Sequence, residues 1–522
     1  MIDHVNSVGY ISFSIITAFL SKSSEDITLR STFIPQMSLD AIGISEIEFD
    51  IHCRHEIVPI LMALQYLYVK RPNVMKKICN LIQADLLNGR SQKFGCIGLS
   101  SWEALVLASV RLGCDLDYDQ LSDLADNHLK LRQLMGLGSF DIKRYPRSTI
   151  HDNLTGLCAE TVDTISNIIV AGGHRFRPHA VDKVRGDSFV VAKNIHYPTD
   201  TNLTFDGIRK TINLSVLLAK DHGIAGWRQH RHLLRKAKRT RRLIEKVARS
   251  KKKEKDTELK RLYEQLINQA ADIIDRALET IHLYQSMKNS SNEPSTVYYN
   301  NIVSELFYFI AGTEYVCELA KRRIINGESI KNPEKVFSLF EPDTELINRG
   351  KSPHPIEFGH RVLVIQDSAG FIIHSKMMNI GITDEKILVE VMKKLQTRFN
   401  GKILAASFDK GFWTPNNLKA LSGIVNLAVL PKKGKRSKID AQREGSKAFG
   451  KIRKWHSGIE SAIHALGSGN GLRVCRDKDY NRYIALGILG RNLQTLGNIL
   501  IEKERKRPKK EQKCKKLFSL AA

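Results

Sequence analysis

The apolar run Ile403-Leu404-Ala405-Ala406 leads through Ser407-Phe408 to Asp409, and Lys410-Gly411-Phe412-Trp413 and Thr414-Pro415-Asn416-Asn417 follow at once. A short apolar run bounded by turn residues reads as a buried strand, and Thr-Pro is a common opening for a helix. The stretch therefore demands a fold with a sheet, a strand that stops at a carboxylate, a glycine turn and a new helix. The C-terminal end of such a strand lies outside the sheet's core, where α/β sheets bind their ligands. Asp409 is thus a candidate metal-binding carboxylate.

Single cores stop growing at about 250–300 residues, so a chain of 522 residues implies two or three domains. The 81 Lys and Arg stand against 55 Asp and Glu, a formal net charge of +26, which points to a polyanionic partner. Cys53, Cys79, Cys96, Cys114, Cys158, Cys317, Cys475 and Cys514 show no C-x-x-C spacing. That argues against a zinc ribbon or a disulfide framework and fits a reducing compartment. Val8 to Leu20 is apolar but broken by Ser12, Ser14 and Thr17, with no Lys or Arg before it. It is a poor signal peptide and too short to span a bilayer, so a cytoplasmic protein with no membrane partner is expected.

Residues 1–45 carry little signal and read as a loosely ordered extension. Helical periodicity covers Glu56 to Tyr68, Val74 to Leu87, Trp102 to Leu112 and Tyr118 to Leu134, and Ser148 opens another helix that Gly172-Gly173 ends. The acids between Asp117 and Asp126 fall outside the apolar face of Leu121, Leu124 and Ala125, as on a solvated helix. A β-like segment, Val184 to Tyr197, contains Asp187 and stops at Pro198. An unpaired carboxylate is expensive to bury in a strand, and a solvent-facing edge strand explains Asp187 as well as a ligand role does. Asp200 in Thr199-Asp200-Thr201-Asn202 reads as a cap for a helix over Leu203 to Leu218.

Arg228 to Lys255 then reads as one helix with an extreme charge and an incomplete apolar stripe. Its Arg228, Arg231, Arg235, Lys238, Arg239 and Arg242 are opposed only by Glu245 and Glu254 in the segment, a density suited to phosphate-backbone contact. Leu259 to Met287 and Val303 to Ile325 extend the helical block, and Pro333 to Pro355 reads as a loop. Val362 to Ile365 and Phe371 to His374 flank a Gly-containing turn as a hairpin, where Asp367 is turn chemistry. Thr383 caps a helix bearing Ile387, Leu388, Val391 and Leu395. Another strand, Val425 to Leu430, runs into a second cationic cluster with Lys432, Lys433, Lys435 and Arg436. Trp455 to Leu466 reads as a helix with Glu460 beside its apolar stripe and His464 one turn on. Gly467, Gly469 and Gly471 end it. Asn481 to Leu500 forms a further helix, and Lys503 to Lys516 a basic tail.

Asp187, Asp409 and Glu460 would suit a pair of divalent metals, since Mg²⁺ takes oxygen ligands and few carboxylates suffice. The segments Asp187-Ser188, Asn194-Ile195-His196-Tyr197-Pro198-Thr199-Asp200-Thr201-Asn202-Leu203, Phe408-Asp409-Lys410-Gly411-Phe412, His456-Ser457-Gly458-Ile459-Glu460-Ser461 and Asn470-Gly471-Leu472 resemble bacterial insertion-sequence transposases of the DDE type. The resemblance covers residues 55–500. It implies an RNase H-like catalytic domain in which Asp187, Asp409 and Glu460 bind two Mg²⁺ or Mn²⁺ ions. It further implies cleavage of double-stranded DNA at transposon ends, attack of the freed 3′-hydroxyl on target DNA, and a homo-oligomer at work on the DNA. Many relatives carry an Arg shortly before the glutamate, where this chain has His456 and Ser457.

The expected fold class is α/β, with a mixed sheet, a helical insertion after the first strand and a helical N-terminal domain. The expected boundaries are 1–45 extension, 46–175 helical and DNA-binding, 176–220 with 356–500 catalytic, 221–355 basic helical insertion, and 501–522 basic tail. Lys410 and the 432–436 cluster are candidate phosphate contacts. Trp413 and Trp455 are candidates for stacking on a flipped base, although buried or rim positions are the commoner use of such residues. No small-molecule substrate is expected. The alternatives are an RNase H-like nuclease without strand transfer and a catalytically inactive DNA-binding remnant of a mobile element.

Overall fold

The computed structural model describes residues 41–87, 98–288, 296–348, 356–468, 471–472, 474–475 and 479–506. Most of the N-terminal extension, most of the basic tail, Cys96, Cys514, Gly469 and Asn470 lie outside the described residues. The chain divides into two compact units, residues 1–191 with 361–522, and residues 192–360.

The first unit opens with helices α1 (Ile57–Lys70), α2 (Pro72–Leu87), α3 (Ser101–Gly113), α4 (Tyr118–Asn127), α5 (Leu129–Leu134), α6 (Arg147–Thr155) and α7 (Ala159–His174). The single helix expected over Tyr118 to Leu134 is two. His128 takes an extended conformation, and its ring nitrogen accepts from Leu131 N at 3.1 Å, so it caps the second helix. β1 (Lys183–Lys193) follows and carries the chain out of this unit.

The chain returns along β3 (Ile356–Asp367), after β2 (Glu345–Asn348) in the second unit, and continues as β4 (Ile372–Met377), α12 (Asp384–Arg398), β5 (Ala405–Phe408), α13 (Pro415–Ser422) and β6 (Leu427–Val429). Then come α14 (Lys438–Gly445), α15 (Lys447–His456), α16 (Gly458–Ser468), β7 (Val474–Cys475) and α17 (Tyr480–Arg505). The strand order is β3-β1-β5-β6, with β4 on β3 and β7 on β1. β5 is parallel to both β1 and β6, whereas β4 is antiparallel to β3. The fold is therefore mixed α/β with a mixed open sheet.

The Asp367 turn is as expected: its carboxylate accepts from Ala369 N at 2.9 Å and Phe371 N at 3.0 Å, and from His174 Nε2 at 2.7 Å. The helix expected over Trp455 to Leu466 is broken, because α15 ends at His456 and α16 starts at Gly458.

α17 is the central helix of this unit and packs on α1, α3 and α7. Glycines permit the close crossings. A Cβ on Gly490 would stand 2.7 Å from Gly113 Cα, and one on Gly497 only 1.9 Å from the Pro59 carbonyl oxygen. Asn492 bonds Ile372 N at 2.8 Å, Ile372 O at 2.9 Å and Ser166 Oγ at 2.8 Å. These contacts explain why the helices of 46–175 share one compact unit with the strands. Among the described residues α17 alone is long and apolar enough to cross a membrane, and 83% of its apolar window is buried, as befits a core helix.

The second unit holds α8 (Asp200–Asp221), α9 (His230–Ala248), α10 (Lys255–Lys288), α11 (Thr296–Ala320), a π turn at Lys321–Ile325 and β2 (Glu345–Asn348), antiparallel to the opening of β3. It begins at Ala192, earlier than the insertion expected at 221, because α8 packs on α9, α10 and α11. The close approach of α8 to α11 rests on Gly207, where a Cβ would meet Thr313 Oγ1 at 2.0 Å. The expected helix over Arg228 to Lys255 is shorter. β2 lies inside the span read as a loop, since four residues with only Leu346 and Ile347 apolar give little strand signal.

Candidate functional site

β1 and β5 run parallel with Arg185 opposite Ser407 and Gly186 opposite Phe408. Asp187 and Asp409 are the next step, and Asp409 keeps an extended backbone at φ −74, ψ 170. Side chains alternate between the faces of a sheet, so Arg185 and Asp187 of β1 share a face with Ser407 of β5, and Asp409 is the residue that follows the end of β5. Neighbouring strands lie about 4.8 Å apart. Gly186 makes the other face possible, because a Cβ there would come within 2.4 Å of the Phe408 ring. The Phe408 and Phe412 rings meet at a tilt with centroids 5.2 Å apart and are fully buried, which fixes the backbone on both sides of Asp409.

The loop beyond Asp409 is pinned. Thr414 Oγ1 accepts from Asn417 N at 3.0 Å, and Asn417 Nδ2 donates to Phe412 O at 3.0 Å and Glu385 O at 2.7 Å. A one-turn 3₁₀ helix, Lys410–Phe412, replaces the expected glycine turn. Lys410 is exposed beside the carboxylate.

The start of the helix that carries Glu460 is tied to β1 by a residue the sequence did not single out. Arg185 donates to Gln366 Oε1 through Nε at 2.9 Å and Nη2 at 2.6 Å, and through Nη1 to the Trp455 carbonyl at 2.5 Å. Its guanidinium lies 4.6 Å from the Trp455 ring centroid. Gly458, first residue of α16, has no room for a Cβ, which would fall 2.2 Å from Arg185 Nη1. The α15–α16 junction is thereby anchored over the β1 face that carries Asp187, and Glu460 sits in the first turn of α16. The available sequence signal was an Arg two residues before Asp187, on the same strand face.

His456 belongs to the same junction. Burial holds its imidazole below the ordinary histidine range, and Arg185 acts in the same direction. Asp409, a backbone hydrogen bond with Ser407, and Glu460 oppose the shift. His456 thus feels both Asp409 and Glu460. Its Nδ1, Ser407 Oγ and Trp413 Nε1 are buried without hydrogen-bond partners.

Asp187 is half-buried and accepts from Ser188 N at 2.8 Å, while Asp409 and Glu460 are exposed. Among the described residues no group of three or more His, Cys, Asp or Glu side chains is gathered closely enough to hold a metal ion. Asp187, Asp409 and Glu460 do not form a closed cluster. In kind the donors fit a hard divalent cation, which takes carboxylate oxygens and keeps several waters.

The His-Tyr-Pro-Thr-Asp segment has a structural part in the second unit. Thr199, rather than Asp200, caps α8, with Oγ1 accepting from Asn202 N at 3.2 Å. Asp200 forms an ion pair with Arg323 at 2.5 Å; burial raises its carboxyl above the usual range, and Arg323 and Lys335 oppose that. His196 bonds Asp206 at 3.2 Å and Asn202 Nδ2 donates to Tyr197 O at 3.1 Å.

The cationic residues separate into two kinds. On α9, Ala237, Thr240 and Ile244 face the core while Arg231, Arg235, Lys238, Arg239 and Arg242 are exposed, as is Arg228 just before the helix. Arg241 instead donates to Asn202 Oδ1 at 3.0 Å and covers the Phe205 ring. In the second cluster Lys433 and Lys435 are exposed. Lys432 pairs with Asp440 at 2.5 Å and lies over the Trp413 ring, and Arg436 pairs with Glu444 at 3.1 Å. Those two hold α14 in place. Trp455 is occupied by Arg185, and Trp413 by Lys432.

Comparison with known protein families, with curated proteins and with solved structures gave no match.

Proposed function

We propose that the protein is a DDE-type DNA transposase with an RNase H-like catalytic domain, which cleaves DNA at insertion-sequence ends and joins the 3′-hydroxyl to target DNA. One observation carries this reading: Asp187 and Asp409 each come one residue after Gly186 and Phe408, the last paired positions of two parallel strands, and Arg185 ties the start of the Glu460 helix to the first of those strands. Asp187, Asp409 and Glu460 would hold Mg²⁺ or Mn²⁺. Such ions, when bound, would supply activation of an attacking oxygen and stabilisation of a leaving oxygen in phosphodiester chemistry. The chain's own residues bind and orient the DNA. Lys410 stands beside Asp409, Lys433 and Lys435 offer free ammonium groups, and the α9 cations contact backbone phosphates without reading sequence. A homo-oligomer on paired DNA ends is the expected working form.

The test is cleavage of DNA bearing the element's terminal repeats, by purified protein with Mg²⁺ or Mn²⁺. Wild type is expected to nick and, with target DNA, to give joined products. Asp187→Ala, Asp409→Ala and Glu460→Ala are expected to bind DNA without nicking it. Equal nicking by wild type and Asp409→Ala sinks the proposal. Nicking with no joined product supports a nuclease instead.

A further inference from the structure

A cleft of about 1290 Å³ opens in the first unit away from the loop of Asp409. It is lined by residues 51–56 and Pro59, by His464 and Ala465 of α16, and by one face of α17 that includes Arg491, Gln494, Asn498 and Arg505. Small-molecule sites occupy about 300–1,000 Å³ and are mainly apolar, so this trough is large and polar for a metabolite. From Arg491 to Arg505 the α17 face extends for about 21 Å at 1.5 Å per residue. That length suits an extended polymer.

The charges identify the polymer's chemistry. Arg54, Arg491, Arg505 and Lys506 line the cleft against Glu56 and Glu502, and Glu502 is already paired with Arg177 at 2.6 Å and Lys506 at 2.5 Å. Arg491 is half-buried, and its Nε is enclosed without a hydrogen-bond partner. Burial lowers its guanidinium below the ordinary arginine range, with no carboxylate among the causes to offset it. A partly enclosed cation without an acid favours an incoming anion, and guanidinium groups match phosphate geometry.

We infer that this cleft binds the phosphodiester backbone of a nucleic-acid strand, with Arg491 and Arg54 as its principal contacts. His464 lies one turn from Glu460 on α16, so the same helix serves the candidate carboxylate site and the cleft. The inference rests on the proposed function only in taking DNA as the strand.

Cys53 lines the cleft and is exposed, while Cys158 is exposed and does not line it. The full-length protein, without divalent metal, is alkylated with iodoacetamide in the presence and absence of a mixed-sequence DNA oligonucleotide. The rate at each cysteine is read by peptide mass spectrometry. The oligonucleotide is expected to slow Cys53 alkylation severalfold and leave Cys158 unchanged. Arg54→Ala and Arg491→Gln are each expected to weaken that protection and to reduce the salt slope of binding by about one. Arg54 is exposed, so its variant remains informative if Arg491→Gln folds poorly. An unchanged Cys53 rate at an oligonucleotide concentration that saturates binding by fluorescence anisotropy overturns the inference. Equal protection by inorganic phosphate or a nucleoside triphosphate at matched phosphate concentration overturns the strand in favour of a small anion. Because no metal is present and no cleavage is read, the cleft and the catalytic proposal can fail separately.

Discussion

Arg185 on β1 donates through Nη1 to the main-chain carbonyl of Trp455 at 2.5 Å, a contact between residues 270 positions apart in the chain. It joins the strand that carries Asp187 to the helix pair that carries Glu460. Gly458→Ala places a methyl 2.2 Å from that guanidinium, so something must shift. Overpacking of this kind costs about 1–3 kcal/mol. The variant is expected to unfold at lower urea and, with native-like circular dichroism, to lose metal-dependent nicking. Arg185→Ala with Gly458→Ala should be less than additive, because the first change removes the second one's clash. Additive costs would mean that Arg185 does not set the junction.

Acid sensitivity is expected at β4. Burial and the nearby Arg398, Lys376 and Lys394 lower the His374 pKa from 6.5 to about 4. The folded pKa is below the unfolded one, so the neutral ring's contribution is complete above about pH 6.5 and is lost as pH falls towards 4. On the order of 2 kcal/mol is at stake in that window. Urea titrations at pH 7.5 and pH 4.5 should therefore converge for His374→Gln relative to wild type. An identical pH dependence in the two proteins would refute the assignment.

The α9 cations should behave as DNA contacts and little else. Arg235→Ala, Lys238→Ala, Arg239→Ala and Arg242→Ala should each lower the slope of log affinity against log salt by about 0.9 if the residue neutralises one phosphate. Their melting temperatures should stay near wild type, since exposed side chains rarely matter to stability. Arg241→Ala should do the reverse, because it loses its Asn202 bond and its cover over Phe205. Salt-dependent anisotropy and thermal scans of all five variants separate the two classes.

In the second cluster, Lys433→Ala and Lys435→Ala should weaken DNA binding without altering the fold. Lys432→Ala should loosen α14, because Lys432 bonds Asp440, whose carboxyl is held far below its ordinary range chiefly by that bond. Faster hydrogen exchange over residues 438–445 in the Lys432 variant alone is the expected signature.

Gly497→Ala should be among the costlier single changes, because α17 and α1 cross where the new Cβ would sit 1.9 Å from the Pro59 carbonyl oxygen. A loss of about 1–3 kcal/mol is expected. Unchanged denaturant stability would show that the crossing can open without penalty.

Much of the local structure was written in the chain. Periodicity marked α1, α2, α3 and α12, because one-sided burial needs apolar residues at helical spacing. The apolar run before Asp409 marked β5, and Gly at the turn marked the β3–β4 hairpin. β2 and the end of α15 at His456 were not legible, since four mixed residues and a single Ser457 carry little pattern. Among the cations, composition did not distinguish Lys432 from Lys433 or Arg241 from Arg242. Their roles depend on which carboxylate or ring the backbone brings within reach.

The sequence by itself determined where many of the strands and helices form, that a strand stops at Asp409, and that the chain is strongly cationic, because these follow from side-chain chemistry and local spacing. Tertiary structure alone decided that β1 and β5 pair in parallel up to the residues just before Asp187 and Asp409, that Arg185 ties the start of the Glu460 helix to β1, and that Arg491 lines a basic cleft. Those relations depend on strand pairing and on packing between segments far apart in the chain, and local propensity carries no information about either.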